Sequence, residues 1–212
     1  MEKRAVEISS KKNSTIKIGV IPGHFATNHS HVNYYVDLTK IKKSYKSAKE
    51  TARVISMDYI TTPVDTIICL EDTQTIGAFL AEQLSDSYSH SVNKGNDICV
   101  VSPEMNSNNQ MIFRDNNQGM IWNKNILLLI SSVSTGWTIH RCFDCLKYYS
   151  GKLAAVSALF SAIDSVDGFK VHSVFHMSDL PGYVSQQPGE CSLCKDNVKV
   201  DAIVNDHGYS KL

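Results

Sequence analysis

The chain has 212 residues, 42% hydrophobic and 20% charged, with a formal net charge of zero. Such a composition suits one α/β domain with a sizeable core, and the balanced charge gives no reason to expect bulk binding to nucleic acid or to a membrane. No apolar run approaches the roughly 20 residues that cross a bilayer. Met1-Glu2-Lys3-Arg4 is charged and no apolar signal core follows it, so a cytoplasmic protein is expected.

Residues 1–15, 85–97 and 103–119 are polar stretches, the last two reading as excursions from a compact domain. Residues 16–45 place short apolar pieces among turn residues such as Pro22-Gly23, which predicts a small irregular or β subdomain with a strand around Tyr34–Leu38. Residues 44–60 carry Ala48, Ala52, Ile55 and Tyr59 on one helical stripe. Asp65–Leu70 reads as a buried strand, Glu71–Thr75 as a polar loop and Thr75–Leu84 as a helix, with Asp72 or Thr73 either capping that helix or touching a ligand. A short strand at Ile98–Val101 follows. Gln110–Asn116 has hairpin-like alternation. Lys152–Ala158 predicts a strand, Ser161–Lys170 a loop or short helical turn, and Val171–Phe175 a last short strand. Pro and Gly make 180–212 an extended tail. Strands alternating with helices predict βαβ units and a parallel sheet, with ligands beyond the carboxyl ends of its strands.

One stretch carries most of the functional signal. Ile126-Leu127-Leu128-Leu129-Ile130 fits a strand buried on both faces. Ser131–Thr138 is a small, hydroxyl-rich loop, and apolar residues then recur at helical spacing over 140–150. Backbone N–H groups and the positive end of a helix dipole at such a loop bind phosphate. An ordinary capped strand-to-helix turn is the competing reading.

The histidines His24, His29 and His31 read better as solvent-exposed or hydrogen-bonded than as metal ligands. Cys142/Cys145 and Cys191/Cys194 are two CxxC pairs, but the gap between them is long for a zinc ribbon and Cys142 lies on an apolar stripe. Reduced or buried thiols are expected; zinc is not.

Taken in order, several segments resemble the orotate phosphoribosyltransferase branch of the type I phosphoribosyltransferases. Gly23-His24-Phe25 with Ser30, Tyr34-Tyr35 and Asp37 looks like the family's N-terminal hood. Ile67–Gly77 resembles its pyrophosphate loop, and Ser134-Thr135-Gly136-Trp137-Thr138 its T-T-G-G-T loop for the 5-phosphate. Cys191-Ser192-Leu193-Cys194-Lys195 resembles a C-P-L-C-K segment of one subgroup. The resemblance implies an α/β fold, a parallel central sheet flanked by helices with a small hood, in a single domain. The hood would be roughly 16–43 with the tail 180–212, and the core roughly 44–179. It implies that Ser132, Ser134, Thr135, Gly136, Trp137 and Thr138 hold phosphate. Glu71, Asp72, Thr73, Gln74 and Thr75 would contact pyrophosphate, and Asn28, Tyr34 and Tyr35 the base. It further implies phosphoribosyl pyrophosphate or a nucleotide and a nucleobase, orotate first, as ligands, Mg²⁺ as cofactor, and a homodimer.

This sequence departs from the family at the residues that do chemistry. The paired acidic residues before the phosphate loop are Ile130 and Ser131 here. Arg114 is the one cation of Ser102–Asn117 and stands as the catalytic candidate where a lysine is usual. A hood lysine is replaced by Asn28, and the second loop glycine by Trp137. Glu71 and Asp72 are the residues left to supply negative charge, by holding Mg²⁺. A non-catalytic protein that binds a phosphorylated ligand in a regulatory role is the alternative, and a structural zinc protein built on Cys191 and Cys194 a third.

Overall fold

A computed structural model describes residues 1–86, 90–106 and 110–212. Residues 87–89 and 107–109, within the polar stretches 85–97 and 103–119, lie outside the described residues. In chain order, β1 (Val6–Ser9), β2 (Lys17–Ala26), β3 (His31–Asp37) and α1 (Thr39–Lys43) precede α2 (Tyr45–Ser56), β4 (Thr66–Cys69), α3 (Gln74–Ser85) and β5 (Cys99–Val101). A small hairpin, β6 (Glu104–Met105) and β7 (Met111–Ile112), leads through α4 (Asp115–Gln118) to β8 (Asn125–Val133) and α5 (Trp137–Tyr148). Then come β9 (Lys152–Ser161), β10 (Ser165–Val166), β11 (Phe169–His176), β12 (Ser185–Gln186), α6 (Ser192–Lys195), β13 (Ala202–Asn205) and β14 (Gly208–Lys211).

The core sheet runs β10-β11-β9-β8-β4-β5, parallel throughout except for the β10–β11 hairpin. Its centre is β8, whose apolar run alternates between two layers. Leu127 and Leu129 pack with Ala48, Ala52, Ile55, Ile76 and Leu80 of α2 and α3. Ile126, Leu128 and Ile130 pack with Ile139, Cys142 and Leu146 of α5. A strand covered by helices on both faces must be apolar at every position, and that is why the run is unbroken. The α2 stripe extends to Tyr59, which is buried and donates its hydroxyl to the Val156 carbonyl at 2.9 Å.

A second sheet forms the hood, ordered β12-β3-β2-β13-β14 with β1 on β2. One element is added here and two expectations are corrected. The polar N-terminus contains β1, paired antiparallel with β2 from Val6↔Val20 to Ser9↔Lys17. The tail is not merely extended: β13 adds parallel to β2, placing Ala202 opposite Phe25, and β12 pairs with β3. A β10–β11 hairpin also stands where a loop or short helical turn was expected within Ser161–Lys170.

Candidate functional site

Strand β8 continues through Val133, so the loop between it and α5 is only Ser134-Thr135-Gly136, shorter than the expected Ser131–Thr138. Gly136 sits at the N-cap with φ 81°, in the left-handed region that side chains disfavour. A Cβ there would also lie 2.8 Å from Val166 Cγ2. No side chain caps α5, which leaves its first-turn amides facing outward with the helix dipole behind them.

This loop forms one wall of a cleft of about 250 Å³ between core and hood. Ser132, Ser134, Thr135, Gly136, Trp137 and Thr138 all line it, as do Asn28, Tyr34 and Tyr35 of the hood. The tail supplies Tyr183, Asn205 and Asp206. Tyr34 donates its hydroxyl to the Pro181 carbonyl at 3.2 Å, and Tyr35 packs edge-on against Tyr209. The Trp137 indole stands half-exposed, stacked on His29 at 5.0 Å with the Arg141 guanidinium 4.8 Å from its ring. Its side chain therefore leaves the crowded backbone turn and bridges the loop to the hood.

Glu71 also lines the cleft. The Ser132 N–H donates to Glu71 Oε2 at 3.1 Å, so this carboxylate from the end of β4 lies against the loop side of β8. That is where the sequence offers Ile130 and Ser131 instead of acids, both of them buried in the strand. Glu71 and Asp72 have φ of 55° and 63°, two successive non-glycine residues in the left-handed region. Such strain persists only where surrounding contacts enforce it, and it concentrates at functional sites. Burial pushes the Glu71 carboxyl up to about 7, with the Ser132 amide pulling the other way and the Asp206 charge adding to the rise.

The other residues of the 71–75 loop do something else. Asp72 pairs with Lys43 at 2.9 Å, and that ammonium holds its carboxyl below the usual range. Thr73 takes the N-cap position of α3, but its buried hydroxyl donates backward to the Leu70 and Leu129 carbonyls instead of capping the helix. Gln74 and Thr75 are exposed in the first turn of α3 and do not line the cleft. Arg114 also lies outside the cleft lining, with Nε and Nη2 on Glu104 Oε2 at 2.9 and 2.7 Å.

Glu71 and Asp72 do not fit as a magnesium site made by the protein alone. One carboxylate faces the Ser132 amide and the other Lys43. Among the described residues one set of three or more His, Cys, Asp or Glu side chains converges closely enough for a metal, and it includes neither residue. Cys142 and Cys145 are not in that set either; both are buried on α5 and burial raises their pKa, so they behave as core thiols.

The sequence gives no place at this cleft to Lys42, His29, Arg141 or Asp206, His29 reading there only as an exposed or hydrogen-bonded histidine. Lys42 is buried and donates to the Glu71 carbonyl at 3.1 Å and the Asp206 carbonyl at 2.9 Å, tying the core loop to the β13–β14 turn. No local pattern in Thr39–Lys43 separates this lysine from its exposed neighbours.

No protein-family model matches the sequence, and no curated protein matches it. Solved structures do match. Orotate phosphoribosyltransferase of Mycobacterium tuberculosis H37Rv superposes with a TM-score of 0.53 at 12% identity, over 76% of this chain and 91% of the other. Leishmania donovani UMP synthase gives 0.55 at 13% identity, over 76% of this chain and 34% of that one. Adenine phosphoribosyltransferase of Thermoanaerobacter pseudethanolicus gives 0.51 at 16% identity, over 82% and 96%. The chain has the type I phosphoribosyltransferase fold. Within that phosphoribosyltransferase fold the cleft lies where ligands of open parallel sheets bind, past the carboxyl ends of β4 and β8.

Proposed function

We propose that this protein binds phosphoribosyl pyrophosphate in the cleft between hood and core and transfers its phosphoribosyl group to a nucleobase, releasing pyrophosphate. The observation that carries this reading is the Glu71 carboxylate, held by the Ser132 amide in the same cleft as the Ser134–Gly136 loop and the hood tyrosines. The 5-phosphate would take the first-turn amides of α5 and the Ser134, Thr135 and Thr138 hydroxyls. As the bond from C1 of the ribose to pyrophosphate breaks and the bond from C1 to a base nitrogen forms, positive charge builds on the sugar. Glu71, with Asp206 beside it in the cleft, would stabilise that charge in place of an acidic pair on β8. Mg²⁺ would come with the substrate, which suits its habit of binding through substrate phosphates and few protein carboxylates. Asn28, Tyr34 and Tyr35 would meet the base, and the hood pattern makes orotate the first base to test.

Equilibrium binding tests the ligand. Phosphoribosyl pyrophosphate with Mg²⁺ is expected to bind the wild-type protein, and Gly136→Ala to weaken that binding about tenfold or more. The added methyl meets Val166 and a left-handed φ costs about 1–2 kcal/mol for a residue with a Cβ. No binding to the wild type would remove the proposal.

The second reading is a protein that holds the phosphorylated ligand without turning it over. It is favoured by Arg114, whose guanidinium is engaged by Glu104 and contributes nothing to the cleft.

A further inference from the structure

The hood meets the tail at four side chains that belong to no part of the cleft. His24 comes from β2, His31 from β3, and Cys191 and Cys194 bracket the start of α6. One ligating atom from each lies within 4.8 Å of every other. His24 and Cys191 are buried.

The protons decide how this cluster can be held. His24 Nδ1 lies 2.8 Å from the Val198 carbonyl, and a carbonyl only accepts, so Nδ1 carries the hydrogen. Neutral His24 is then left with one lone pair, on Nε2. Three groups crowd that single lone pair: His31 Nδ1 at 3.0 Å, Cys191 Sγ at 3.5 Å and Cys194 Sγ at 3.7 Å. Cys194 Sγ is also 3.3 Å from His31 Nδ1. One lone pair accepts one proton, so hydrogen bonding leaves most of these approaches unexplained.

A central cation explains them together. For Zn–S of about 2.3 Å and Zn–N of about 2.0–2.1 Å, a tetrahedron has N···N edges of about 3.3 Å and S···N edges of about 3.5 Å. The observed N···N edge is 3.0 Å, three of the four S···N edges are 3.3, 3.5 and 3.7 Å, and the remaining pairs of ligating atoms lie within 4.8 Å. Two thiols and two imidazoles are a donor set that suits zinc, and the two-residue gap between Cys191 and Cys194 is a usual ligand spacing. The second sphere is in place as well. Val198 fixes the His24 tautomer, and Asp201 Oδ2 accepts the His24 backbone N–H at 3.0 Å, which holds the strand in place behind the ring.

We propose that His24, His31, Cys191 and Cys194 form a structural zinc site that staples the C-terminal tail to the hood. Four protein ligands close the coordination sphere, so the ion has no open position for chemistry. Its reach is indirect: His24 and His31 flank the loop carrying Asn28 and His29, which line the cleft. The proposal stands apart from the function proposed above and survives its failure. The sequence offers Cys191 and Cys194 only the other CxxC pair as partners and the histidines none; the fold brings these two groups together.

The test is metal analysis of the full-length protein purified without chelator, followed by Co²⁺ titration of the metal-stripped protein. About one zinc per chain is expected, with Co²⁺ giving thiolate charge-transfer and tetrahedral d–d absorption. Cys191→Ser with Cys194→Ser should cut zinc content about tenfold or more, because ligand loss removes most of the affinity. Cys99→Ser should leave it unchanged. Less than about a tenth of a zinc per chain together with no thiolate band from Co²⁺ would overturn the proposal, and so would full zinc retention in the double variant. If the double variant fails to fold, the wild-type zinc content and Co²⁺ spectrum decide alone.

Discussion

Glu71→Gln should lower phosphoribosyl transfer by about 10²–10³-fold, the usual cost of removing one charge-stabilising group from a transition state. The same change should make the folded protein more stable at pH 8. The two effects share a cause. Burial raises the Glu71 pKa from 4.5 to about 7, so the folded state prefers the protonated acid. A group whose folded pKa lies above its unfolded value stabilises fully below the unfolded pKa, and that contribution is lost as pH rises through the folded one. Wild-type protein therefore loses stability between about pH 4.5 and pH 7, and Gln at this position should recover about 1–3 kcal/mol at pH 8, as seen by denaturant unfolding. Activity should run the opposite way. If ionised Glu71 stabilises the sugar cation, wild-type turnover rises through a limb near pH 7, and Glu71→Gln lacks that limb. A variant that is more stable yet retains full activity and the same pH profile would show that Glu71 is only a half-buried acid with no part in the chemistry.

Lys42→Met should be the most damaging single change away from the cleft wall. The Lys42 ammonium satisfies two carbonyls, at Glu71 and Asp206, and sits near the carboxylates of Asp72, Glu71 and Asp206. Burial lowers its pKa, while those three charges hold it up. Methionine fills a similar volume but donates nothing, so two carbonyls lose a partner and the acidic groups lose their compensation. The expected cost is about 2–4 kcal/mol, or a fall in Tm of about 5–15 °C for a chain of this size. Lys40→Met, at an exposed position two residues earlier, should stay within about 0.5 kcal/mol of wild type. Equal effects at the two positions would mean that Lys42 does not join the core loop to the tail.

The parts of this molecule that can be read from its sequence are those whose signal is local. The Ile126–Ile130 run announces a strand buried on both faces because each residue individually meets a helix layer. The helix over Tyr45–Ser56 is visible because its buried positions recur with helical period. The Ser134–Gly136 loop is visible because small residues, a glycine and a helix start are contiguous. What escaped depends on distant pairing. Ala202 and Ile203 join β2 through a parallel register with Phe25 and Ala26, and nothing near either segment specifies the other. That pairing delivers Asn205 and Asp206 to the cleft. Likewise, Cys191 lies 167 residues from His24, so neither the histidines nor the CxxC shows its partners locally. Trp137 was misleading for a different reason. Its residue type says it is bulky, but only the φ of Gly136 and the stacking on His29 show that the bulk points out of the turn.

The central claim is that the cleft carries out transfer and does not merely hold its ligand. It is tested most directly by pyrophosphate release from phosphoribosyl pyrophosphate with Mg²⁺ and a panel of bases including orotate, adenine and hypoxanthine. Base-dependent release of pyrophosphate is expected, with one nucleotide formed for each pyrophosphate, and it should be lost in Glu71→Gln. Tight binding of phosphoribosyl pyrophosphate with no base-dependent release from any member of the panel would contradict it and leave a ligand-binding protein on a phosphoribosyltransferase fold.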